Sequence, residues 1–335
     1  MTRTGPSPTL RRPSGPWLAG AAVLLACSGA EGTARVLIPP GANMRQAAES
    51  LAAHDVIRLP SLFGRYASLT GRDRMVKAGT YLIDRSASWN SVIDALVGGR
   101  GLVFPVTIPE GWELKTIVRT ISGTMKLPIE SLDFATRDTA LLRRLGVPTA
   151  TLEGYLFPET YLLPDGSSAP MIVRTLVGEF QKRWKPEWEE RLKQIGMTRH
   201  QVVTLASIIE REARLAGERP LISAVYHNRL RRGMLLQADP TVQYSLGRRA
   251  GRVLYRDLRV DSPYNTYRHV GLPPGPIASP GSASLEAALF PADVKYLYFV
   301  AHPDGHHEFR STLREHNEAV RRMRALRRPP AAGRP

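Results

Sequence analysis

Cysteine is almost missing from this sequence: Cys27 is the only one in 335 residues. No intrachain disulfide can form and no zinc finger or ribbon can assemble, so the fold must stand on its hydrophobic core. The chain is long enough for two or three domains, and 43% hydrophobic residues suit a folded protein. Several motifs are missing as well. There is no P-loop, no H-E-x-x-H, and no nucleophile elbow around a serine, which argues against nucleotide, zinc-protease and serine-hydrolase chemistry. Aromatics make up 7% and form no row interleaved with basic residues, so nucleic acid is not expected as a partner. Acidic residues are outnumbered, 30 Asp and Glu against 46 Lys and Arg, for a net charge of +16. That balance suits a polyanion or an anionic membrane surface, and a polyanion binder would show a steep loss of binding with salt. Part of the excess sits at the ends, in Arg3, Arg11 and Arg12 and in the closing "RRMRALRRPPAAGRP".

A long apolar run is also missing. "RRPSGPWLAGAAVLLACSGAEGT" gives a basic flank, about a dozen apolar or small residues, then small polar ones, short of the roughly 20 that a full span needs. It reads as an export signal or an uncleaved anchor. "LLAC" also matches a lipoprotein cleavage box ending at Cys27, so lipidation and a plain anchor both stay open. The expected organisation is residues 1–15 as a basic N-terminus, 16–31 as anchor or signal, 34–100 as a small module, 101–328 as a larger domain and 329–335 as a flexible tail. No internal repeat is visible.

"ARVLIPPGANMRQAAESLAAHDVI" predicts a strand, a turn and an amphipathic helix with Ala47, Leu51 and Val56 inward. A second helix is expected over Pro60 to Leu69, then a strand at "AGTYLI" and a helix at "SWNSVIDALVGGR" started by a serine and stopped at Gly98-Gly99. This order resembles the lysin-motif type of glycan-binding module; a plain spacer domain is the alternative. The larger domain opens with a strand and helix at "VTIPEGWELKTIVRTI", continues through short helices, and holds a long helix over Met171 to Ile195 broken at Pro186. "EGYLFPETYLLPDGSSAP", with Glu153 and Tyr155, is dense in turn formers and aromatics and reads as a loop. "KYLYFVAHPDGHHEFRS" reads as a hairpin around a Pro-Asp-Gly turn. Its His302, His306 and His307 are expected to be a solvated tip, and no metal is expected. The fold class is therefore α+β, a small module followed by a larger mixed α/β domain.

"ASIIEREA" places Glu210 and Glu212 in a stretch that otherwise reads as the buried side of a helix. The helix opens with a capping box, Thr198 with Gln201 three residues on. On a helical projection Val202, Leu205, Ile209, Ala213 and Ala216 share one face, with Thr204, Ser207, Arg211 and Arg214 opposite. Glu212 falls roughly 60° from the apolar centre and Glu210 roughly 100°. A carboxyl among apolar neighbours holds its proton toward neutral pH, as a general acid must. The plain alternative is that Glu210 pairs with Arg214 and Glu212 with Arg211 or Arg219. Downstream, "LLQADPTVQYSLG" carries Gln237, Asp239 and Thr241 in an expected turn, and "DSPYNTYRHVGLPPGPIASPG" carries Tyr264, Asn265, Thr266 and Tyr267. Phenol rings with neutral donors and acceptors are what a carbohydrate cleft needs.

"EGYLFPETY", "LASIIEREA", "NRLRRGMLLQADPTVQYSLG", "SPYNTYRHVGLPPGPIASPG" and "YLYFVAHPDGHHEF", in this order after an N-terminal anchor, resemble the bacterial membrane-bound endolytic murein transglycosylases over about residues 35 to 325. The resemblance implies a single N-terminal anchor in the cytoplasmic (inner) membrane, residues 1–15 inside and the catalytic domain outside. It implies a substrate, nascent peptidoglycan glycan strands, and peptidoglycan synthases as further partners. It puts the catalytic role on Glu212; by their side-chain chemistry Glu153, Tyr155, Gln237, Asp239, Thr241, Tyr264, Asn265, Thr266 and Tyr267 are expected around substrate, and no cofactor is expected. The chemistry implied is lytic, with a 1,6-anhydro-MurNAc end as product. A non-catalytic peptidoglycan-binding wall protein, its Glu212 ion-paired, is the rival reading. The short anchor and Cys27 depart from the family's usual span and leave the mode of attachment open.

Overall fold

The computed structural model describes residues 32–73, 76–247, 251 and 253–326. The anchor at 16–31, Cys27 and the tail at 329–335 lie outside the described residues. The chain divides into two compact units between Arg100 and Gly101.

In the first unit, β1 (Thr33–Ile38) is followed by α1 (Met44–Ala53), α2 (Pro60–Leu69), β2 (Gly79–Asp84) and α3 (Trp89–Gly98). β1 and β2 pair antiparallel from Thr33 opposite Asp84 to Ile38 opposite Gly79. Alternation along β1 buries Ala34, Val36 and Ile38 on one face. Asn43 and Gln46 form a reciprocal capping box at the start of α1, and Pro60 occupies the first turn of α2, where its missing N–H is not needed. Ser88 caps α3, and Gly99 ends it with φ 77°, a conformation that a side chain would strain. Leu51, Phe63, Tyr81 and Leu96 fill the core, with Trp89 edge-on to Phe63.

In the second unit, β3 (Leu102–Thr107), α4 (Leu114–Met125), α5 (Ile129–Ala135) and α6 (Thr139–Arg144) lead to β4 (Thr160–Pro164), which pairs antiparallel with β3. The expected loop at "EGYLFPETYLLPDGSSAP" thus contains a strand. Tyr161 and Leu163 alternate inward along it, and the turn formers on either side mask that short period. α7 (Ala169–Arg183) and α8 (Glu187–Ile195) are the two parts of the helix expected to break at Pro186, and Pro186 stands at the start of α8. α9 (Arg199–Glu212), α10 (Arg219–Arg231), α11 (Asp239–Ser245) and α12 (Ser282–Leu289) follow, then the β5 (Tyr298–Ala301) and β6 (His307–Arg310) hairpin and α13 (Leu313–Leu326). The fold is mixed α/β with antiparallel pairing. Among the described residues, no helix is long and apolar enough to cross a membrane.

α9 is the axis of this unit. Every residue from Val202 to Ile209 is buried, including Thr204 and Ser207, which the amphipathic projection places on the polar face. The reason is a strap: Gly275 through Gly281 is itself buried, and the Ile277 N–H donates to Ser207 Oγ at 3.0 Å. Thr204 turns its hydroxyl back to the His200 carbonyl. Gly154, at φ 81°, lies so close to the strap that a Cβ there would stand 2.4 Å from Pro276.

Candidate active site

α9 ends at Glu212, so the carboxylate sits in the last turn, where the partial negative charge of the helix C-terminus disfavours ionisation. Ala213 and Ala216, which the projection continues along the apolar face, lie beyond that end. The residue keeps part of its surface open to a groove of about 530 Å³, while dense protein packs round its carboxyl. Burial first, and then the charge of Asp239, push its pKa up to about 7. The Tyr226 hydroxyl donates to its Oε1 at 3.1 Å and opposes that rise, as do the charges of Arg211 and Arg229.

Glu210, two residues earlier, is held differently. Arg219 donates to its Oε1 at 3.1 Å and the Gly281 N–H to its Oε2 at 3.0 Å, so this carboxylate anchors the strap to α9. The pairing with Arg214 that spacing suggests is replaced by Arg219, carried in by α10. Of the two glutamates, Glu210 is held by an arginine and Glu212 by the neutral Tyr226 hydroxyl.

Asp239 is the first residue of α11, not part of an open turn, and accepts from the Tyr267 hydroxyl at 2.6 Å. Glu212, Gln237, Asp239 and Tyr267 all line the groove, joined by Arg229, Tyr255, Phe299 and His316. Gln237 is held there at φ 51°, an uncommon conformation for a residue with a side chain. The other residues expected at the site are placed elsewhere. Thr241 and Thr266 are buried and hydrogen-bonded to each other at 2.9 Å, and the Ala238 N–H donates to Thr266. Asn265 is fully buried and donates from Nδ2 to the Leu258 and Val260 carbonyls. These three are the frame that fixes α11 and Tyr267.

Glu153 is also away from the groove. Its two oxygens accept from the Leu114 N–H at 2.9 and 3.2 Å, capping α4, and Tyr244 donates to it at 3.3 Å. Burial raises its pKa to about 8, against those hydrogen bonds and with help from the nearby Glu113 charge. Tyr264 packs on Tyr244 with ring centroids 4.9 Å apart. Tyr155 donates to His200 Nδ1, since His200 must give its Nε2 proton to the Pro274 carbonyl.

Sequence reasoning passed over Arg229, which lines the groove, and Tyr226, which is buried behind Glu212 and donates to it. They lie on α10, nearly all buried from Ile222 to Arg229 and so without a periodic pattern. Arg229 reaches the Leu297 and Leu236 carbonyls at 2.7 and 2.8 Å and joins α10 to the hairpin. Two arginines two or three residues on make it look like one more surface cation.

A mixed α/β protein with a proton-retaining carboxylic acid and a second carboxylate on one groove has the constellation of a general-acid enzyme. The YceG-like family model matches residues 36–322. The chain is 35% identical over 303 residues to the endolytic murein transglycosylase of Bacillus subtilis strain 168, covering 86% of this chain and 84% of that protein. It is 28% identical to the endolytic murein transglycosylase of Streptococcus pneumoniae strain D39, over 79% of this chain and 53% of the pneumococcal protein, about half its length. A crystal structure of a YceG-like protein from Listeria monocytogenes is similar at 33% identity and a TM-score of 0.60, covering 87% of this chain and 100% of that one. The chain belongs to the YceG-like family.

Proposed function

We propose that this chain is an endolytic murein lytic transglycosylase that cleaves the β-1,4 bond between MurNAc and GlcNAc in nascent peptidoglycan strands, leaves a 1,6-anhydro-MurNAc end, and so limits strand elongation. The observation that carries the reading is Glu212, a carboxyl held near neutral pKa at the wall of a groove. The names of the bacterial relatives support the substrate.

In this mechanism protonated Glu212 donates to the glycosidic oxygen as the C1–O bond breaks. The resulting carboxylate takes the proton of the muramoyl 6-hydroxyl while that oxygen bonds to C1, and Glu212 ends as it began. Tyr226 holds the carboxyl in place through Oε1. Asp239 keeps Glu212 protonated before the reaction and offers negative charge to the cationic centre that develops at C1. The rival reading, a non-catalytic wall-binding protein, needs an ion-paired Glu212 of low pKa; the Tyr226 contact and the raised pKa speak against it. Attachment through residues 16–31, with the catalytic unit outside the cytoplasmic membrane and in reach of peptidoglycan synthases, belongs to the same proposal.

Asp239 makes the product the decisive test, because a second carboxylate could instead attack C1 or activate water. Digestion of glycan strands in ¹⁸O-labelled water should yield muramoyl ends lighter by one water and free of label. Reducing MurNAc carrying ¹⁸O as the main product would overturn the lytic mechanism.

A further inference from the structure

We propose that the tip of the β5–β6 hairpin is a binding site for a divalent transition-metal ion, with His302, Asp304 and His306 as its ligands. The sequence H-P-D-G-H builds it. The His302 N–H donates to the His306 carbonyl at 2.7 Å and closes the hairpin, so these two residues flank the turn as a cross-strand pair. Their rings lie face to face with centroids 4.4 Å apart. Between them, Pro303 presets the entry to the turn and Gly305 takes φ 103°, which folds Asp304 back over the pair. Asp304 Oδ1 then stands 2.8 Å from His302 Nδ1 and 2.6 Å from His306 Nδ1. The potential ligand atoms of the three residues all lie within 4.8 Å of one another.

Tetrahedral coordination at the usual 2.0–2.2 Å places ligand atoms about 3.3 Å apart, so a metal needs the His302 and His306 nitrogens to move about 0.5 and 0.7 Å further from Asp304 than their 2.8 and 2.6 Å. Rotation of these partly exposed side chains supplies that without moving the hairpin. Two imidazoles and one carboxylate select zinc, copper, nickel or cobalt, whereas magnesium and calcium need more oxygen donors than this turn holds. Three protein ligands leave positions for water, and the exposed setting makes the ion exchangeable. His307 is not part of the site: it is buried on the other side of the strand, with Nδ1 2.7 Å from Glu218 Oε2. The proposal does not depend on the groove chemistry.

The test is calorimetric titration of the full chain, purified without a histidine tag and stripped of metal, with zinc chloride. One saturable equivalent is expected, and affinity should fall by about 10-fold or more in the His302→Ala/His306→Ala double variant and in Asp304→Asn. Long-range ¹H–¹⁵N spectra of the wild-type chain, which need no variant, should show zinc shifting the His302 and His306 imidazoles and sparing His307. Absence of a saturable one-to-one phase, unchanged affinity in a folded double variant, or shifts confined to other histidines would each overturn the site.

Discussion

At the scale of single residues, the groove turns on how one carboxyl is kept uncharged. Glu212 must be protonated to donate, so activity should fall as pH rises through about 7, the value to which burial and Asp239 bring it. Glu212→Gln keeps the shape and the Tyr226 contact but has no proton to transfer, and cleavage should drop by ~10² or more with the fold intact by circular dichroism. Wild-type turnover in that variant would remove the assignment, and loss confined to Glu210→Gln would move it. Asp239→Asn removes the second-largest cause of the raised pKa. The alkaline limb of its pH–rate profile should therefore shift to lower pH, a change that simple loss of a substrate contact would not produce; an unmoved limb counts against the role given to Asp239.

At the scale of elements, the site depends on α9 being gripped from all sides. The strap over Gly275–Gly281 is tied by Ser207 to Ile277 and by Glu210 to Gly281, and Gly154 leaves room for Pro276 to lie flat. Gly154→Ala would place a methyl where only hydrogen fits and force a left-handed backbone on alanine. Chemical denaturation should show a loss of roughly 1–3 kcal/mol or more, with glycan cleavage falling as α9 shifts. A stability equal to wild type would mean that the strap yields freely. By contrast Glu153, outside the groove, secures the start of α4, and its removal should act on folding before it acts on chemistry.

For the whole molecule, the same raised pKa values set a pH dependence of stability. Glu153 rises from 4.5 to about 8 and Glu212 from 4.5 to about 7 on folding. Between those limits the folded chain holds protons that the unfolded chain has released, so their contribution to stability falls as pH increases from about 4.5 to about 8. Glu153→Gln keeps an acceptor for the Leu114 N–H and has nothing to ionise. The difference in unfolding free energy between pH 5 and pH 8.5 should be smaller in this variant than in wild type, and an equal difference would contradict the account. The +16 charge and the N-terminal segment belong to this scale as well. If residues 16–31 anchor the chain without cleavage, Cys27→Ser should remain in the membrane fraction with an N-terminus at or near Met1; a mature N-terminus at an acylated Cys27 would favour the lipoprotein route.

Local physical chemistry was enough for most of the elements and for one residue of the groove. Caps and breakers mark α3, α8 and α9, because Ser88, Pro186 and Thr198 act within one turn of where they stand. The hydrophobic periods of α1 and β1 are visible because each has a solvated face. Glu212 could be singled out because a carboxylate at an apolar position is costly whatever surrounds it. Other features depended on partners distant in the chain. Thr204 and Ser207 are buried because a proline-rich segment some 70 residues later covers them, and β4 is a strand because β3 lies beside it. Arg219 rather than Arg214 takes Glu210 because α10 brings it there. Asp239, Gln237 and Tyr267 share a groove with Glu212, while Glu153, Thr241 and Asn265 become scaffold, through packing that no local pattern encodes. A side chain's chemistry is local, but its dielectric and its partners are set by whatever the folded chain lays against it.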